Sequence, residues 1–319
     1  MSTVNNQELP LVSVCLITYN HEKYIAHAIE SALMQRTFFK YEIVIGEDCS
    51  TDNTRAIVRY YADRYPERIF MLLPKQNLGA HINFITTLNA CKGKYIAILE
   101  GDDYWTDPYK LQTQISFLEE NPDFNVCYHR VDSEADLLNQ SGIGNHVFFF
   151  ADSLKGKNGA TLSMVFRNSR ELQELYEKTA LKLPMGDWPL ECLLTLNGKG
   201  YFIDRSMGFY SQLSTGVSVT KLQRKESYFE SRIIFFESLL KYVSLSPDQH
   251  TLIHCILIFH KIANQNSKLN KSFTIWSFLT QVVNFVRYWS FYKYDPDYQY
   301  SYKKQLHKTF RIINSRFIT

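Results

Sequence analysis

The chain has 319 residues, 45% of them hydrophobic, and a formal net charge of +3. This hydrophobic fraction supplies a sizeable core, and the near balance of charge excludes the strongly basic surface of a nucleic-acid-binding domain. The six cysteines are scattered singly, which is typical of reduced thiols in a cytoplasmic protein. The polar N-terminus predicts no secretory signal, and no apolar run is long enough to predict a membrane-spanning helix.

Strand-like and helix-like segments alternate through the first part of the chain. Short apolar runs predict strands at 11–17, 41–48, 69–73, 95–100 and 125–129. Apolar residues at helical spacing follow each of the first four runs, which predicts intervening helices. This alternation is typical of an α/β fold with a mostly parallel sheet and helices on both of its faces.

Three polar clusters stand where predicted strands end. They are TYNHE at 18–22, EDCSTDNT at 47–54 and EGDDYW at 100–105. The carboxyl ends of parallel strands meet at one edge of the sheet, where ligands bind in folds of this kind. We therefore expect the three clusters to line one cleft.

The regular alternation of strand-like and helix-like segments ends after residue 130. Residues 131–160 are polar, contain glycines and show no period, which predicts a loop over the cleft. A strand at 161–167 and a helix at 169–181 are predicted next. Beyond about residue 222, long aromatic-rich helical patterns predominate. We place a domain boundary there, with an α/β domain at 1–220 and a helical C-terminal region at 221–319.

The EGDDYW cluster suits a divalent cation. Asp102 and Asp103 follow an apolar strand, and paired carboxylates there can hold Mg²⁺ or Mn²⁺, which often complete their shells with phosphate oxygens. The alternative is a solvated acidic turn before a helix that Thr106 or Asp107 caps. Glu100 has no assigned role.

The other two clusters suit a nucleotide. Asp48 can accept a hydrogen bond from a base N–H, and Tyr19 offers a stacking surface. The alternative is that both clusters are only helix N-termini, with Asn20 and Asp52 as caps. Further polar contacts are offered by Thr18, Asn20, Glu22 and Asn77.

The chain resembles family 2 glycosyltransferases in five segments, which in order are SVCLITYNHEKYIAHAIESALMQ, EIVIGEDCSTDNT, NLGAHIN, GKYIAILEGDDYW and DPYKLQTQISFLEENPD. The resemblance covers about residues 10–220 and implies the GT-A fold, a Rossmann-like domain that binds nucleotide sugars. It also implies transfer of a sugar from a nucleotide diphosphate donor, by default a UDP-sugar, to an acceptor hydroxyl with inversion at the anomeric carbon.

The resemblance assigns residues of the donor site. Tyr19 and Asp48 match positions that contact the base, and Thr18 and Glu22 lie near them. Asp102 matches a position close to the ribose or the metal, and Asp103 matches the metal ligand. The implied cofactor is therefore Mn²⁺ or Mg²⁺.

The segment MGDWPLECLL at 185–194 resembles the part of the family that supplies the catalytic base, so Asp187 is the matching carboxylate. Without the resemblance, Asp187 reads as a helix N-cap. The chain departs from the family at YSQLSTGVSV, where Leu213 stands in place of a histidine near the diphosphate and Ser211 in place of a basic residue. Another residue could then contact the diphosphate, and the candidates are Ser214, Thr215 and Ser218.

The end of the chain suggests a membrane contact. Residues 298–319 carry five Lys or Arg and no acid, and a basic amphipathic helix with aromatics can lie on an anionic membrane surface. A helical appendage packed on the catalytic domain, or a homo-oligomer interface, is the alternative. By analogy with the family, the acceptor is a saccharide or lipid-linked saccharide of bacterial surface polysaccharide synthesis, at the inner face of the membrane.

Two other functions stay open. A nucleotidyltransferase on a similar sheet commonly carries a glycine-rich, basic phosphate loop after the first strand, and TYNHEKY is not such a loop. A non-catalytic sugar- or nucleotide-binding relative is favoured weakly by Leu213, but Asp48, Asp103 and Asp187 argue against it. A dinucleotide dehydrogenase is disfavoured because no GxGxxG follows a strand.

Overall fold

The computed structural model describes residues 10–133, 144–183, 186–211 and 225–269. The chain divides into two compact units, one of Met1–Leu181 with Met185–Leu213 and the other of Lys182–Pro184 with Ser214–Thr319. The sheet and its helices belong to the first unit, and a pair of long helices belongs to the second. That the chain has one domain at 1–220 and another at 221–319, as the sequence predicts, remains a proposal.

The first unit contains nine strands in a single sheet. In chain order these are β1 (Val12–Thr18), β2 (Tyr41–Glu47), β3 (Ile69–Leu72), β4 (Tyr95–Glu100), β5 (Tyr104–Trp105), β6 (Phe124–Ser133), β7 (His146–Phe148), β8 (Val165–Arg167) and β9 (Lys199–Tyr210). Their spatial order is β3-β2-β1-β4-β8-β6-β9-β5, with β7 paired to β9.

The helices that accompany the sheet follow the predicted alternation. They are α1 (Ile25–Leu33), α2 (Thr54–Arg64), α3 (Ala80–Ala90), α4 (Lys110–Glu120), α5 (Phe150–Lys155), α6 (Arg170–Ala180) and α7 (Asp187–Leu196). The second unit contains α8 (Lys225–Tyr242) and α9 (Pro247–Leu269).

The sheet is parallel in its first half and mixed beyond. Strand β1 lies between β2 and β4 and is parallel to both, and β3 continues the parallel part beside β2. Strand β8 is antiparallel to its neighbours β4 and β6, whereas β6 and β9 are parallel. The predicted α/β class with a central sheet between helices is confirmed, and the parallel half places the ends of β1, β2 and β4 at one edge.

The core lies between the parallel strands and the helices packed on them. Strands β1, β2 and β4 are buried along almost their whole length, which is why each reads as an unbroken apolar run. Helix α1 covers them with Ile25, Ala28, Ile29 and Ala32, which are fully buried. Their spacing of three and four residues places them on one helical face.

The structure differs from the sequence expectation between residues 131 and 167. The predicted loop over 131–160 contains the end of β6, then β7 and α5, although residues 134–143 lie outside the described part. The predicted strand at 161–167 is a single 3-10 turn, Thr161–Ser163, followed by the short β8. The long strand β9 has no counterpart in the prediction, because most of its residues are only partly buried and polar residues interrupt its apolar ones.

The second unit is described only as far as α8 and α9. His260 of α9 is buried, and its ring stacks on Phe236 of α8 with 5.6 Å between the ring centroids. Within the part of the chain that the structure describes, no helix combines the length and the apolar character that a bilayer crossing requires. The basic segment 298–319 lies outside the described residues.

Candidate active site

The loops after β1 and β2 are tied together by hydrogen bonds from backbone N–H groups. Asn20 donates its N–H to Ser50 Oγ at 2.9 Å, and Glu22 donates its N–H to Asp52 Oδ2 at 3.1 Å. The two clusters are about 30 residues apart in sequence and adjacent in space. The predicted meeting of these strand ends is therefore present in the structure.

The side chains of Asn20 and Glu22 strengthen the same contact. Asn20 Oδ1 accepts the N–H of Thr51 at 2.9 Å, and Glu22 Oε2 accepts the backbone and side-chain N–H groups of Asn53, each at 3.0 Å. Asn20 adopts a positive φ of 55°, a conformation that asparagine tolerates better than most residues. Both side chains hold the loops together, and their contact with a nucleotide stays a prediction.

Tyr19 and Asp48 lie at this edge in different environments. The Tyr19 ring is 41% exposed and so is available for stacking. Asp48 is buried, and its two carboxylate oxygens accept the N–H groups of Leu78 and Gly79 at 2.7 and 2.9 Å. Burial raises the pKa of Asp48, and these two hydrogen bonds oppose the rise. Asn77 donates its side-chain N–H to the Asp48 carbonyl at 2.9 Å, so Asp48 and Asn77 together hold the loop before α3.

The acidic cluster after β4 contains carboxylate oxygens without donors. Asp103 Oδ1 accepts the N–H of Ser211 at 2.8 Å. Asp103 Oδ2 and Glu100 Oε2 are buried, and no N–H or hydroxyl group of the described residues donates to them, but the two carboxyl groups lie close enough to hydrogen-bond to each other when one of them carries a proton. Burial, with the neighbouring Glu100 and Asp102 charges, raises the pKa of Asp103 well above its ordinary value. Burial and the Asp102 charge likewise raise the pKa of Glu100 to about 7.

The glycine inside this cluster lets the ends of β1 and β4 approach closely. A Cβ on Gly101 would lie 2.5 Å from Thr18 Oγ1 and 2.9 Å from His21 Nδ1, so a larger residue would push the two loops apart. Thr18 is buried in this contact. Burial lowers the pKa of His21, although the charges of Asp102 and Asp52 oppose the shift. His21 belongs to the TYNHE cluster that the sequence places in the cleft, but the sequence assigned it no role of its own.

These residues fit a hard divalent cation. Such a cation prefers oxygen ligands, and unpaired buried carboxylate oxygens are stabilised by positive charge. Asp103 Oδ2 is such an oxygen, with Asp102 beside it. The described residues contain no group of three or more His, Cys, Asp or Glu side chains arranged as a complete metal site. Any cation held here would therefore need further oxygens from water or substrate phosphates.

Asp187 is the first residue of α7, with Gly186 at the N-cap position. Asp187 is therefore not the N-cap residue of α7 but the residue that follows it. Asp187 Oδ1 accepts the N–H of Trp188 at 2.8 Å, and Oδ2 accepts hydrogen bonds from Lys157 Nζ at 2.5 Å and Thr161 Oγ1 at 2.9 Å. The sequence motifs did not single out Lys157 or Thr161, because Lys157 lies in the stretch predicted as a loop and Thr161 only begins the strand predicted at 161–167.

The ion pair between Lys157 and Asp187 controls the charge of both groups. Burial alone would raise the pKa of Asp187, but the Lys157 charge and the hydrogen bonds to the carboxylate outweigh it, so this pKa lies below its ordinary value. Burial opposes the charged form of Lys157 as well, yet the carboxylates of Asp187, Glu100 and Glu191 raise the Lys157 pKa. Both groups are therefore charged at neutral pH.

The turn that carries Lys157 is held on α7 at a second point. Glu191, one helical turn after Asp187, is fully buried and accepts the backbone and side-chain N–H groups of Asn158 at 3.1 and 2.6 Å. Glu191 also accepts the Tyr128 hydroxyl at 2.7 Å. Two carboxylates on one face of α7 thus bind the segment 157–161.

A glycine is also required beside the carboxylate of Asp187. A Cβ on Gly186 would lie 1.9 Å from the Tyr176 hydroxyl oxygen and 2.9 Å from the His81 ring. Tyr176 and Phe84 make an edge-to-face ring contact, so α3 and α6 pack tightly where α7 begins. The position of Asp187 is therefore set by tertiary packing.

Asp187 and the acidic cluster lie at one candidate site. The charges of Lys157 and Asp187 both act on the pKa of Glu100, so the start of α7 faces the carboxyl end of β4. Ser211, which binds Asp103, is the last described residue of the first unit. The predicted diphosphate contacts at Ser214, Thr215 and Ser218, and the departure at Leu213, lie outside the described residues.

Comparison with known families and proteins identifies relatives of the chain. A family model described as "Glycosyl transferase family 2" matches residues 13–172, which is half of the chain. An uncharacterized protein of Mycobacterium tuberculosis is 32% identical over 230 residues, which are 69% of this chain and 64% of the relative. The chain thus spans slightly less than two thirds of that relative. A Bacillus subtilis protein, TuaG, named for a glycosyltransferase of teichuronic acid biosynthesis, is 38% identical over 35% of this chain and 43% of its own.

Two solved structures share the fold. Staphylococcus aureus TarS 1-349 in complex with UDP-GlcNAc is similar over 95% of this chain and 90% of its own, with a TM-score of 0.62 and 15% identity. The mannosyltransferase PcManGT of Pyrobaculum calidifontis, in complex with GDP-Man and Mn²⁺, is similar over 98% and 89%, with a TM-score of 0.56 and 14% identity. At this identity the likeness concerns the fold, and it confirms the predicted GT-A architecture.

Proposed function

Because the chain belongs to glycosyl transferase family 2, we propose that it is an inverting glycosyltransferase that moves a sugar from a nucleotide diphosphate-sugar to an acceptor hydroxyl. The observation that carries the proposal is the carboxylate of Asp187 at the start of α7. It faces Glu100 at the end of β4, where Asp102 and Asp103 follow. A single displacement at a sugar carbon requires a base for the acceptor hydroxyl. The carboxylates of Asp102 and Asp103 nearby would hold the cation that binds the diphosphate.

The donor is proposed to bind along the ends of β1, β2 and β4. Its base stacks on the exposed ring of Tyr19 and meets Asp48, whose oxygens each hold one backbone N–H and keep further capacity to accept. The loops that carry these residues are already held together through Asn20 and Glu22. This rigid edge lowers the ordering cost of nucleotide binding.

The proton transfer is assigned to Asp187. Its Oδ1 accepts only one hydrogen bond among those that the described residues make to it, from Trp188 N–H, and a carboxylate oxygen can accept two. The acceptor hydroxyl would donate to the remaining position and lose its proton as its oxygen attacks the anomeric carbon. The bond from that carbon to the diphosphate breaks with its electron pair, so no covalent intermediate on the chain is needed.

Asp103, with Asp102 as its partner, would hold Mn²⁺ or Mg²⁺. When bound, such a cation supplies positive charge beside the diphosphate as that group leaves. The buried carboxyl groups of Asp103 and Glu100, which lie against each other without a neighbouring cation from the described residues at Asp103, support this role, as does the Mn²⁺ in the structurally similar mannosyltransferase. The Asp103 carboxylate is also braced by Ser211 N–H, which fixes Oδ1, while no N–H or hydroxyl group of the described residues donates to Oδ2.

The substrates and the surroundings are proposed more broadly. UDP-sugars are the first donors to test, because TarS is a fold relative in complex with UDP-GlcNAc. A saccharide or lipid-linked saccharide of surface polysaccharide synthesis is the proposed acceptor, supported by the name of the Bacillus subtilis relative. We place the protein in the cytoplasm at the inner face of the membrane. Residues 221–319 would be a helical appendage that contacts the membrane surface or a second copy of the chain.

Turnover with a panel of donors tests the function. The full chain is incubated with UDP-GlcNAc, UDP-glucose, UDP-galactose and GDP-mannose, with and without Mn²⁺, in the presence of saccharide acceptors. We expect release of the nucleotide diphosphate and a glycoside whose anomeric configuration, measured by NMR, is opposite to that of the donor. Nucleotide binding without release from any donor would instead support the non-catalytic alternative. Release of pyrophosphate from a sugar phosphate and a nucleoside triphosphate would support a nucleotidyltransferase.

Liposome flotation tests the membrane contact. Vesicles with anionic lipids should carry the full chain to the top of the gradient, and deletion of residues 298–319 should abolish flotation. Equal flotation of both forms would assign the contact to another part of the chain. Light scattering of the full chain measures the oligomeric state.

A further inference from the structure

The proposed base is not an isolated carboxylate. Lys157 Nζ donates to Asp187 Oδ2 at 2.5 Å and to Thr161 Oγ1 at 2.9 Å, and Thr161 Oγ1 in turn donates to Asp187 Oδ2 at 2.9 Å. The three side chains close a triangle of hydrogen bonds on one carboxylate oxygen. The Lys157 and Asp187 side chains are 31% and 21% exposed, so solvent screens the ion pair in part, and the hydrogen bonds to Oδ2 rather than deep burial define its geometry.

We propose that Lys157 is a positioning residue of the transfer reaction, which holds Oδ2 of Asp187 so that Oδ1 takes the proton of the acceptor hydroxyl. This inference rests on the proposed glycosyltransferase function. Oδ2 already accepts two hydrogen bonds and is saturated, whereas Oδ1 accepts the N–H of Trp188 and has one position left. The two oxygens of one carboxylate therefore have different tasks.

The support for Lys157 is built into the fold. The next residue, Asn158, is bound through its backbone and its side chain to Glu191. Glu191 lies one turn after Asp187 on α7, and the Tyr128 hydroxyl fixes it from β6. The ammonium is thus presented to Asp187 from a turn that is fastened to the same helix, and the separation between the two groups depends little on the rest of the loop.

Several charged or titratable groups surround the pair. Lys157 faces Glu191 on α7 and Glu100 at the end of β4 in addition to Asp187. The charge of Asp187 also reaches the hydroxyls of Tyr128 and Tyr176. Without the ammonium, burial and the neighbouring Glu100 charge would favour the protonated form of Asp187, which cannot accept a proton.

The proton balance follows from these charges. The acceptor proton moves to Asp187 Oδ1, the acceptor oxygen forms the bond to the anomeric carbon, and the diphosphate leaves with the electron pair of the broken bond. Lys157 keeps its three protons throughout, because its carboxylate neighbours raise its pKa. It therefore acts through Asp187 and needs no contact with the substrate.

Four variants separate positioning from simple support of the fold. Lys157→Met removes the charge at similar length, Lys157→Arg keeps it, and Thr161→Val removes the neutral donor from the same oxygen. Lys199→Met is the matched control, because Lys199 forms an exposed ion pair with Asp123 at the start of β9. All four are compared with the wild type by the pH profile of kcat/KM.

The Lys157 charge lowers the pKa of Asp187, so its removal should move the acidic limb of the Lys157→Met profile up by about one pH unit or more. Each unit is a tenfold change in the ratio of charged to protonated Asp187 below its pKa. Donor KM should stay unchanged, Lys157→Arg should restore most of the wild-type profile, and Lys199→Met should match the wild type. A uniform loss of kcat/KM at every pH, with the limb in place, would overturn the proposal and leave Lys157 as a tether of the loop.

A second measurement does not depend on turnover. The chain is labelled with aspartate carrying ¹³C at the carboxyl carbon, the Asp187 signal is assigned by its loss in Asp187→Asn, and its titration midpoint is measured. We expect a midpoint below the ordinary value in the wild type, above it in Lys157→Met, and between the two in Thr161→Val. An unchanged midpoint would refute the coupling even if transfer is observed.

If no donor is turned over, the proposed function fails, but this titration still decides whether Lys157 controls the pKa of Asp187. If Lys157→Met does not fold, Thr161→Val and Lys157→Arg supply the comparison.

Discussion

Replacing Asp187 by asparagine should abolish sugar transfer and leave nucleotide binding intact. The amide has the shape of the carboxylate but no charge, so the proposed base is lost while the backbone of α7 is kept. Whichever way the amide turns, its NH₂ group faces a donor, either Trp188 N–H or the pair formed by Lys157 and Thr161. At least one hydrogen bond is therefore replaced by a donor–donor contact.

The size of both effects can be worked from these contacts. Removing one partner of a fully buried ion pair costs roughly 3–5 kcal/mol, and the pair of Lys157 and Asp187 is 31% and 21% exposed. We therefore expect a loss of about 1–3 kcal/mol in the free energy of unfolding, which is the cost of one unsatisfied group. General-base catalysis contributes about 10²–10⁴-fold, and turnover should fall by that factor.

Initial rates at saturating donor, calorimetric titration with UDP and unfolding in urea measure the three quantities. Asp123→Asn is the control, because Asp123 is 75% exposed and its ion pair with Lys199 is 3.4 Å long. The control should match the wild type in all three measurements. Turnover of Asp187→Asn within tenfold of the wild type would refute the role of Asp187 as base. Loss of UDP binding in this variant would show that Asp187 is a donor ligand or a structural residue.

Three further changes address the donor edge and the acidic cluster. Asp103→Asn removes the charge of the proposed metal ligand while an oxygen remains for Ser211 N–H, so most turnover and the response to added Mn²⁺ should disappear; an undiminished response would rule out the metal role. Tyr19→Ala should weaken UDP binding by roughly 1–3 kcal/mol if the base stacks on the ring; Tyr60→Ala, a change to an exposed tyrosine of α2, should leave calorimetric binding unchanged. Glu100 has a pKa of about 7 in the folded chain against an ordinary 4.5, so the folded state binds the proton more tightly. Without divalent cations, the wild type should lose stability as pH rises from about 4.5 to about 7, by at most about 1.4 kcal/mol per pKa unit. Glu100→Gln should remove that loss in urea unfolding at pH 5 and pH 8, and an identical pH dependence in both proteins would contradict the Glu100 titration.

The parallel half of the fold could be predicted from local patterns. Strands β1, β2 and β4 are buried on both faces, so each appears as an apolar run, and the observed bounds lie within one residue of the predicted ones. The strand β9 and the helix α5 were missed, because β9 is only partly buried and α5 has six residues. Their conformation depends on neighbours that are distant in sequence.

The residue types at the ends of β1, β2 and β4 were also sufficient to place one site at one edge of the sheet. That inference needs only the direction of parallel strands, which brings their carboxyl ends together whatever the detailed packing. The individual roles were less accessible. Asn20 and Glu22 read as nucleotide contacts, yet the structure uses their side chains to join two loops.

The sequence by itself determined the family, the fold class and the acidic residues of the candidate site, because these depend on local order and spacing along the chain. Only the tertiary structure decided that Asp187 is paired with Lys157, 30 residues away, and that its two oxygens differ. An ion pair of this kind has no periodic signature, since any lysine in a loop looks the same in sequence. Its energy depends on the short distance and the partial shielding that the packing of α7 and the turn at 157–161 gives to the two charges.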